Sequence, residues 1–231
     1  MNEPYTLIEH LKELRSRIIK SLVFIIASSC VLYGFIDALL PILVKPVGKL
    51  IFIAPQEAFI SRIKIAFFGG IFLSSPFVIY QIWKFVSTGL KPEEKKYTLI
   101  FGFLSFIFFI AGSFFGYFVI VPIGIKFLLG FAADFMVPMI TVSKYLSFLG
   151  TLTSAFGVIF QLPLISLFLT KIGVVTPDFL SGKRKHAVVL IFILAATLTP
   201  PDVVTQCLMA GPLLVLYEIG IIFSKFAYHP V

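Results

Sequence analysis

Long apolar runs separated by short polar connections set the pattern of this chain. Bounded by charged and turn-forming residues, the runs cover about 18–36, 61–83, 97–121, 146–170, 187–199 and 203–223. Each of the first four is long enough to cross a hydrocarbon core of about 30 Å at about 1.5 Å per helical residue. The fifth stops early, at Pro200-Pro201-Asp202, and reaches only about 20 Å. With the sixth it reads as two short crossings joined by a tight turn, with a re-entrant hairpin as the rival arrangement. Ahead of the first run, Thr6 and Glu9 have capping-box spacing, and Leu7, Leu11, Leu14 and Ile18 recur at steps of three and four, so an amphipathic helix starts there.

Two stretches break the pattern. Residues 37–60 carry Pro41, Pro46, Gly48 and Pro55, and residues 122–145 carry Gly124, Gly130, Asp134 and Pro138. Both read as structured surface loops, with Asp37 ending the first run and Pro122 closing the third. Ser74-Ser75-Pro76 predicts a kink in the second run, and Trp83-Lys84 marks its far interface. Pro92 suits the first turn of the next helix, placing Glu93 and Glu94 where the helix dipole favours anions. The fold class is therefore all-α: a polytopic membrane protein with six transmembrane helices, the last two short, and two structured extracytoplasmic loops. Residues 1–231 read as a single integral membrane domain.

Composition agrees with the pattern. At 59% hydrophobic and 13% charged residues, with a mean hydropathy of +1.05, the chain has too few charges to cover a soluble globule of 231 residues. A cleavable signal peptide is not expected, since the run after the basic start is too long for an h-region. Of 19 Lys and Arg, Lys45, Lys49, Arg62, Lys64, Lys126 and Lys144 fall on one side and the other 13 on the side of the amino terminus. This bias puts both termini in the cytoplasm. It also accounts for the net charge of +8 without nucleic acid, because the cations cluster at segment ends and no basic stripe is interleaved with stacking aromatics. Cys30 and Cys207 sit inside apolar runs and read as buried small hydrophobes, not as a disulfide.

Enzymatic chemistry finds few candidates. His10, His186 and His229 all lie outside the runs, so a dyad or a His-ligated metal at bilayer depth has no ligand or base, and no phosphate-binding G-x-x-x-x-G-K-[ST] loop is present. Neither catalysis nor a cofactor is expected. A secondary transporter is the alternative, with Glu218, Gln161 and Gln206 around a midplane polar site, but Glu218 lies close to Lys225 and the cytoplasmic surface.

The cytoplasmic carboxylates carry more. Glu13 stands four residues before Arg17, a spacing that favours an intrahelical ion pair, and Glu94 is placed to serve a helix dipole. Alternatively, two carboxylates at one membrane level bind a guanidinium through paired charge-assisted hydrogen bonds, which lysine reproduces poorly.

Three motifs bear on that choice: His10-Leu11-Lys12-Glu13-Leu14-Arg15; Gln81-Ile82-Trp83-Lys84-Phe85 with Glu93-Glu94-Lys95-Lys96 after it; and Leu198-Thr199-Pro200-Pro201-Asp202-Val203-Val204-Thr205-Gln206. Their order and spacing over essentially the whole chain resemble the TatC family, the multispanning receptor subunit of the twin-arginine protein translocase. The resemblance implies a receptor in the cytoplasmic membrane for consecutive-arginine signal peptides of folded proteins, driven by the transmembrane proton gradient. It implies single-span partner subunits of the TatA and TatB type and self-association in the complex. By position, Glu13 and Glu94 would contact the arginine pair, with Arg15, Phe85 and Leu90 shaping the site, and Pro46 matches a proline of the first outer loop. Thr199, Asp202 and Gln206 would face the partner subunits. Where many members carry a glutamate in the fourth span, this chain has Gln161. A neutral amide there either docks a partner helix or satisfies backbone carbonyls freed by Pro163.

Overall fold

The computed structural model describes residues 7–45, 47, 50–130, 139–198 and 203–228. Pro46, Thr199 and Asp202 lie outside the described residues. The chain is helical throughout, without a β-strand among the described residues. Five helical segments are long and apolar enough to cross a bilayer. They are α1 (Leu7–Tyr33), α3 (Pro55–Val86), α4 with its continuation α5 (Lys96–Phe115 and Val121–Leu129), α6 with α7 (Val142–Ile159 and Gln161–Lys171), and α10 (Val203–Ala227). The sixth crossing is α9 (Arg184–Leu198), which at 15 residues spans about 22 Å. Two short helices, α2 (Ile36–Val44) and α8 (Pro177–Gly182), sit in connections.

Helices are the form in which an apolar segment can satisfy every backbone group without water, which is why each run becomes one. Proline strains that rule, and α3 meets it with a side chain. Pro76 has no N–H for the carbonyl of Phe72, and the Ser75 hydroxyl donates to that oxygen at 2.7 Å, so α3 continues unbroken through Val86. The third run is also not closed by proline. A π turn at Gly116–Ile120 precedes Pro122, with the Val121 N–H donating to Gly116 O, and the helix goes on as α5 to Leu129. Widening the turn ahead of the pyrrolidine ring relieves the clash that would end a regular α-helix.

The chain divides into two compact units, one of residues 1–106 with 141–147 and the other of residues 107–140 with 148–231. In the first, α1 packs along α3. The loop after α2 is fastened to the start of α6: Ile51 bridges Thr141, the Val142 N–H donates to Ile51 O at 2.9 Å, and the Tyr145 hydroxyl donates to Leu43 O at 2.8 Å. Lys64 Nζ adds bonds to Ser143 Oγ at 2.6 Å and Ser143 O at 3.1 Å. Trp83 turns inward. It is buried, stacks on Phe101 with ring centroids 5.5 Å apart, and donates its indole N–H to Ser105 Oγ at 2.7 Å. Trp83→Phe keeps the ring contact and loses the bond, so we expect about 1–2 kcal/mol less stability, read as a lower Tm in detergent.

In the second unit α10 packs along α7 and α9, and Thr170 and Ser224 share a buried hydroxyl–hydroxyl bond. α6 lies so close to α4 at Gly112 that a Cβ there would sit 2.4 Å from Phe156 O. Cys30 and Cys207 are free thiols exposed on the protein surface, against the expectation that they are buried. An apolar run in a membrane protein faces lipid as readily as protein, so hydrophobicity alone does not put a side chain inside.

Candidate functional site

Glu13 lies two turns into α1, on the face turned toward α3. Arg17, one turn on, donates from both Nε (3.1 Å) and Nη2 to Glu13 Oε1, and its remaining arm, Nη1, donates to Gln81 Oε1 of α3 at 2.8 Å. The side chains of Arg17 and Glu13 are only 14% and 20% exposed, and Gln81 is buried. This is more than a solvated helix-surface pair, because shielding from water and the third partner both strengthen it. One turn earlier on α1, the His10 ring lies 4.5 Å from that of Phe85, and His10 Nδ1 is 3.4 Å from Thr88 Oγ1. The start of α1 is thereby held against the end of α3.

From that end the chain turns through Ser87–Gly89 to Leu90, which is half-buried, and on to Glu94. The helix expected from Pro92 begins only at Lys96. Residues 92–95 form a separate turn, because the Glu94 carboxylate folds back to accept the Lys91 N–H at 3.0 Å while the Glu94 N–H donates to Lys91 O at 2.9 Å. The carboxylate thus closes its own turn through Oε2, two residues ahead of α4. Glu13, Phe85, Leu90 and Glu94 belong to one unit, with Phe85 in the last turn of α3 and Leu90 and Glu94 in the connection that follows it; Arg15 is exposed on α1.

The remaining candidates lie in the second unit. Gln161 opens α7 just after the break at Phe160, and its amide donates to Gly157 O at 3.4 Å, a long bond to the preceding turn. Gln206 of α10 donates to Phe192 O of α9 at 2.9 Å, tying the last two crossings together. Glu218 is held by Arg184 in a two-point pair, Nε to Oε1 at 2.7 Å and Nη2 to Oε2 at 2.9 Å, with both side chains about half exposed. The three polar residues of the transporter alternative are each engaged locally. Among the described residues no group of His, Cys, Asp and Glu is placed to hold a metal.

Sequence reasoning did not connect Gln81 with Arg17, although Gln81 opens a quoted motif, and it missed the partnership of Arg184 with Glu218. An amide at Gln81, within the mostly apolar stretch Phe77–Trp83 near the cytoplasmic end of the second run, was the available signal for the first. An arginine and a glutamate at matching depths on two consecutive crossings was the signal for the second.

Six crossings, braced connections and a cluster of carboxylate, guanidinium and aromatic groups at the end of α3 define an all-helical, multispanning membrane protein. The family model described as Sec-independent protein translocase protein (TatC) matches residues 9–212. A TatC protein of Carboxydothermus hydrogenoformans is 45% identical, over 97% of this chain and 95% of its own. Another, from Aquifex aeolicus, is 38% identical over 96% and 95%. A crystal structure described as the twin arginine translocase receptor TatC superposes with a TM-score of 0.86 at 37% identity, covering 95% of this chain and 99% of that one. The chain belongs to the TatC family, the Sec-independent protein translocase subunits, and its role is protein transport.

Proposed function

We propose that this protein is the signal-peptide receptor of its translocase, binding consecutive arginines with Glu13 and Glu94 at the cytoplasmic face. The observation that carries the reading is that Glu13 already holds a guanidinium, that of Arg17, beside the end of α3 from which the Glu94 turn departs. A site that accepts one planar five-donor cation has the geometry for another. Phe85 and Leu90 supply an apolar wall for the arginine stems, and Arg15 sets the outer edge of the site. The protein works as a single integral membrane domain with both termini in the cytoplasm, performs no bond chemistry, and draws its driving force from the transmembrane proton gradient. It associates with copies of itself and with single-span subunits of the TatA and TatB type, which meet it through Gln161, Gln206, Thr199 and Asp202. Pro46 shapes the first outer loop.

Binding of a labelled Arg-Arg peptide to the detergent-solubilised protein tests the reading, set against a Lys-Lys peptide and against Glu94→Gln. Arg-selective binding that falls about tenfold or more in Glu94→Gln is expected, since a charge-assisted hydrogen bond contributes about 1.5–3 kcal/mol. Equal binding of both peptides, indifferent to the substitution, would return Glu94 to closing its own turn.

A further inference from the structure

Arg17 occupies the carboxylate that the peptide-site reading assigns to an incoming arginine. Both of its bonds to Glu13 end on one oxygen, Oε1, so Oε2 is not engaged by Arg17. Its third bond runs elsewhere, to Gln81 Oε1 at 2.8 Å on the neighbouring helix. With 14% and 20% of their side chains exposed, Arg17 and Glu13 are shielded enough that dissolved salt does little to loosen them.

We propose that Arg17 is an internal competitor for the peptide-binding carboxylate and so a specificity-determining residue, with Gln81 as the acceptor that keeps hold of it when it is displaced; this rests on the receptor reading above. The exchange takes the carboxylate from Arg17 but leaves it one acceptor. A guanidinium arriving from the cytoplasm meets Oε2 first, Arg17 then swings off Oε1, and its Nη1 stays bonded to Gln81 throughout. The competitor also sets what may enter. A ligand must replace two N–H bonds on a carboxylate with bonds of its own, which a planar fork does and a lysine ammonium, a compact point charge, does poorly. Discrimination against lysine therefore comes partly from the resident the ligand must displace, a repulsive element built into the site.

Peptide binding to the full-length protein in detergent tests this with two substitutions of opposite expected sign. Arg17→Gln should tighten the Arg-Arg peptide about tenfold and the Lys-Lys peptide by more, so that selectivity narrows. Gln81→Leu takes away the acceptor that keeps Arg17 once displaced and should weaken the Arg-Arg peptide a few-fold. Both variants lose a bond that joins α1 to α3, so a purely bracing role would weaken binding in both. Arg17→Lys, which keeps the cation but cannot reach Glu13 and Gln81 together, should follow Arg17→Gln at smaller size, and it serves if the glutamine variant does not fold. Binding that depends on Glu13 but weakens or stays unchanged in both Arg17 variants overturns the competitor and leaves the receptor reading intact. Wild-type binding that ignores Glu13→Gln overturns both.

Discussion

Gly112→Ala is expected to cost at least about 2–3 kcal/mol, and in a membrane protein of ordinary stability much of the folded population. The added methyl would meet Phe156 O at 2.4 Å and Phe160 Cβ at 2.7 Å, distances at which something has to move. A backbone oxygen in the last turn of α6 is not the flexible tip of a side chain, so relief requires shifting one helix against the other. Forcing a methylene into a well-packed site typically costs about 1–3 kcal/mol, and here the obstacle is main chain. Thermal unfolding in detergent, followed by the accessibility of an engineered core thiol, would measure it. A Tm within a degree of wild type would mean that α4 and α6 yield to the methyl at little cost.

Glu13→Ala should fail in two ways at once. Arg17, mostly shielded, would keep only Gln81 as a partner, and a buried cation robbed of its carboxylate costs about 1–3 kcal/mol. Arg-Arg peptide binding should also drop about 10- to 100-fold, the worth of one charge-assisted contact. The double substitution Glu13→Ala with Arg17→Gln separates the two effects. It removes the stranded charge, so most of the lost Tm should return while binding stays lost. If binding returned with stability, Glu13 would be a brace for α1 and not a contact for the peptide.

The crossings were legible in the sequence because lipid imposes a length and an apolar composition that no tertiary context overrides, and α9 could be read as short from Pro200 alone. What Pro122 would do was not legible. A proline normally ends a helix, and whether the turn ahead of it widens depends on how Gly116 packs against Thr153 and Leu152, which are distant in sequence. That α3 would run on past Pro76 was not legible for a more local reason, since the Ser75 hydroxyl one residue away supplies the missing donor. At the candidate site the spacing of Glu13 and Arg17 announced their pairing. Its strength did not show, because it depends on Gln81, 64 positions along the chain from Arg17. The bond between Arg184 and Glu218 spans 34 positions and was hidden in the same way. Local spacing reports contacts within a helix; contacts between helices belong to the fold.

The π turn in the third crossing also solves a problem of phase. Gly112, Gly116 and Gly124 all face α6, against Phe156, Thr153 and Phe148 in turn. In a regular α-helix each four-residue step overshoots a full turn by about 40°, so the twelve residues from Gly112 to Gly124 would carry the last glycine about 120° out of line. The wide turn at Gly116–Ile120 takes up an extra residue without the extra rotation and brings the stripe back into register. It works as a vernier between two straight rods, keeping a row of close contacts aligned over a length at which uniform helical pitch would have turned it into the lipid.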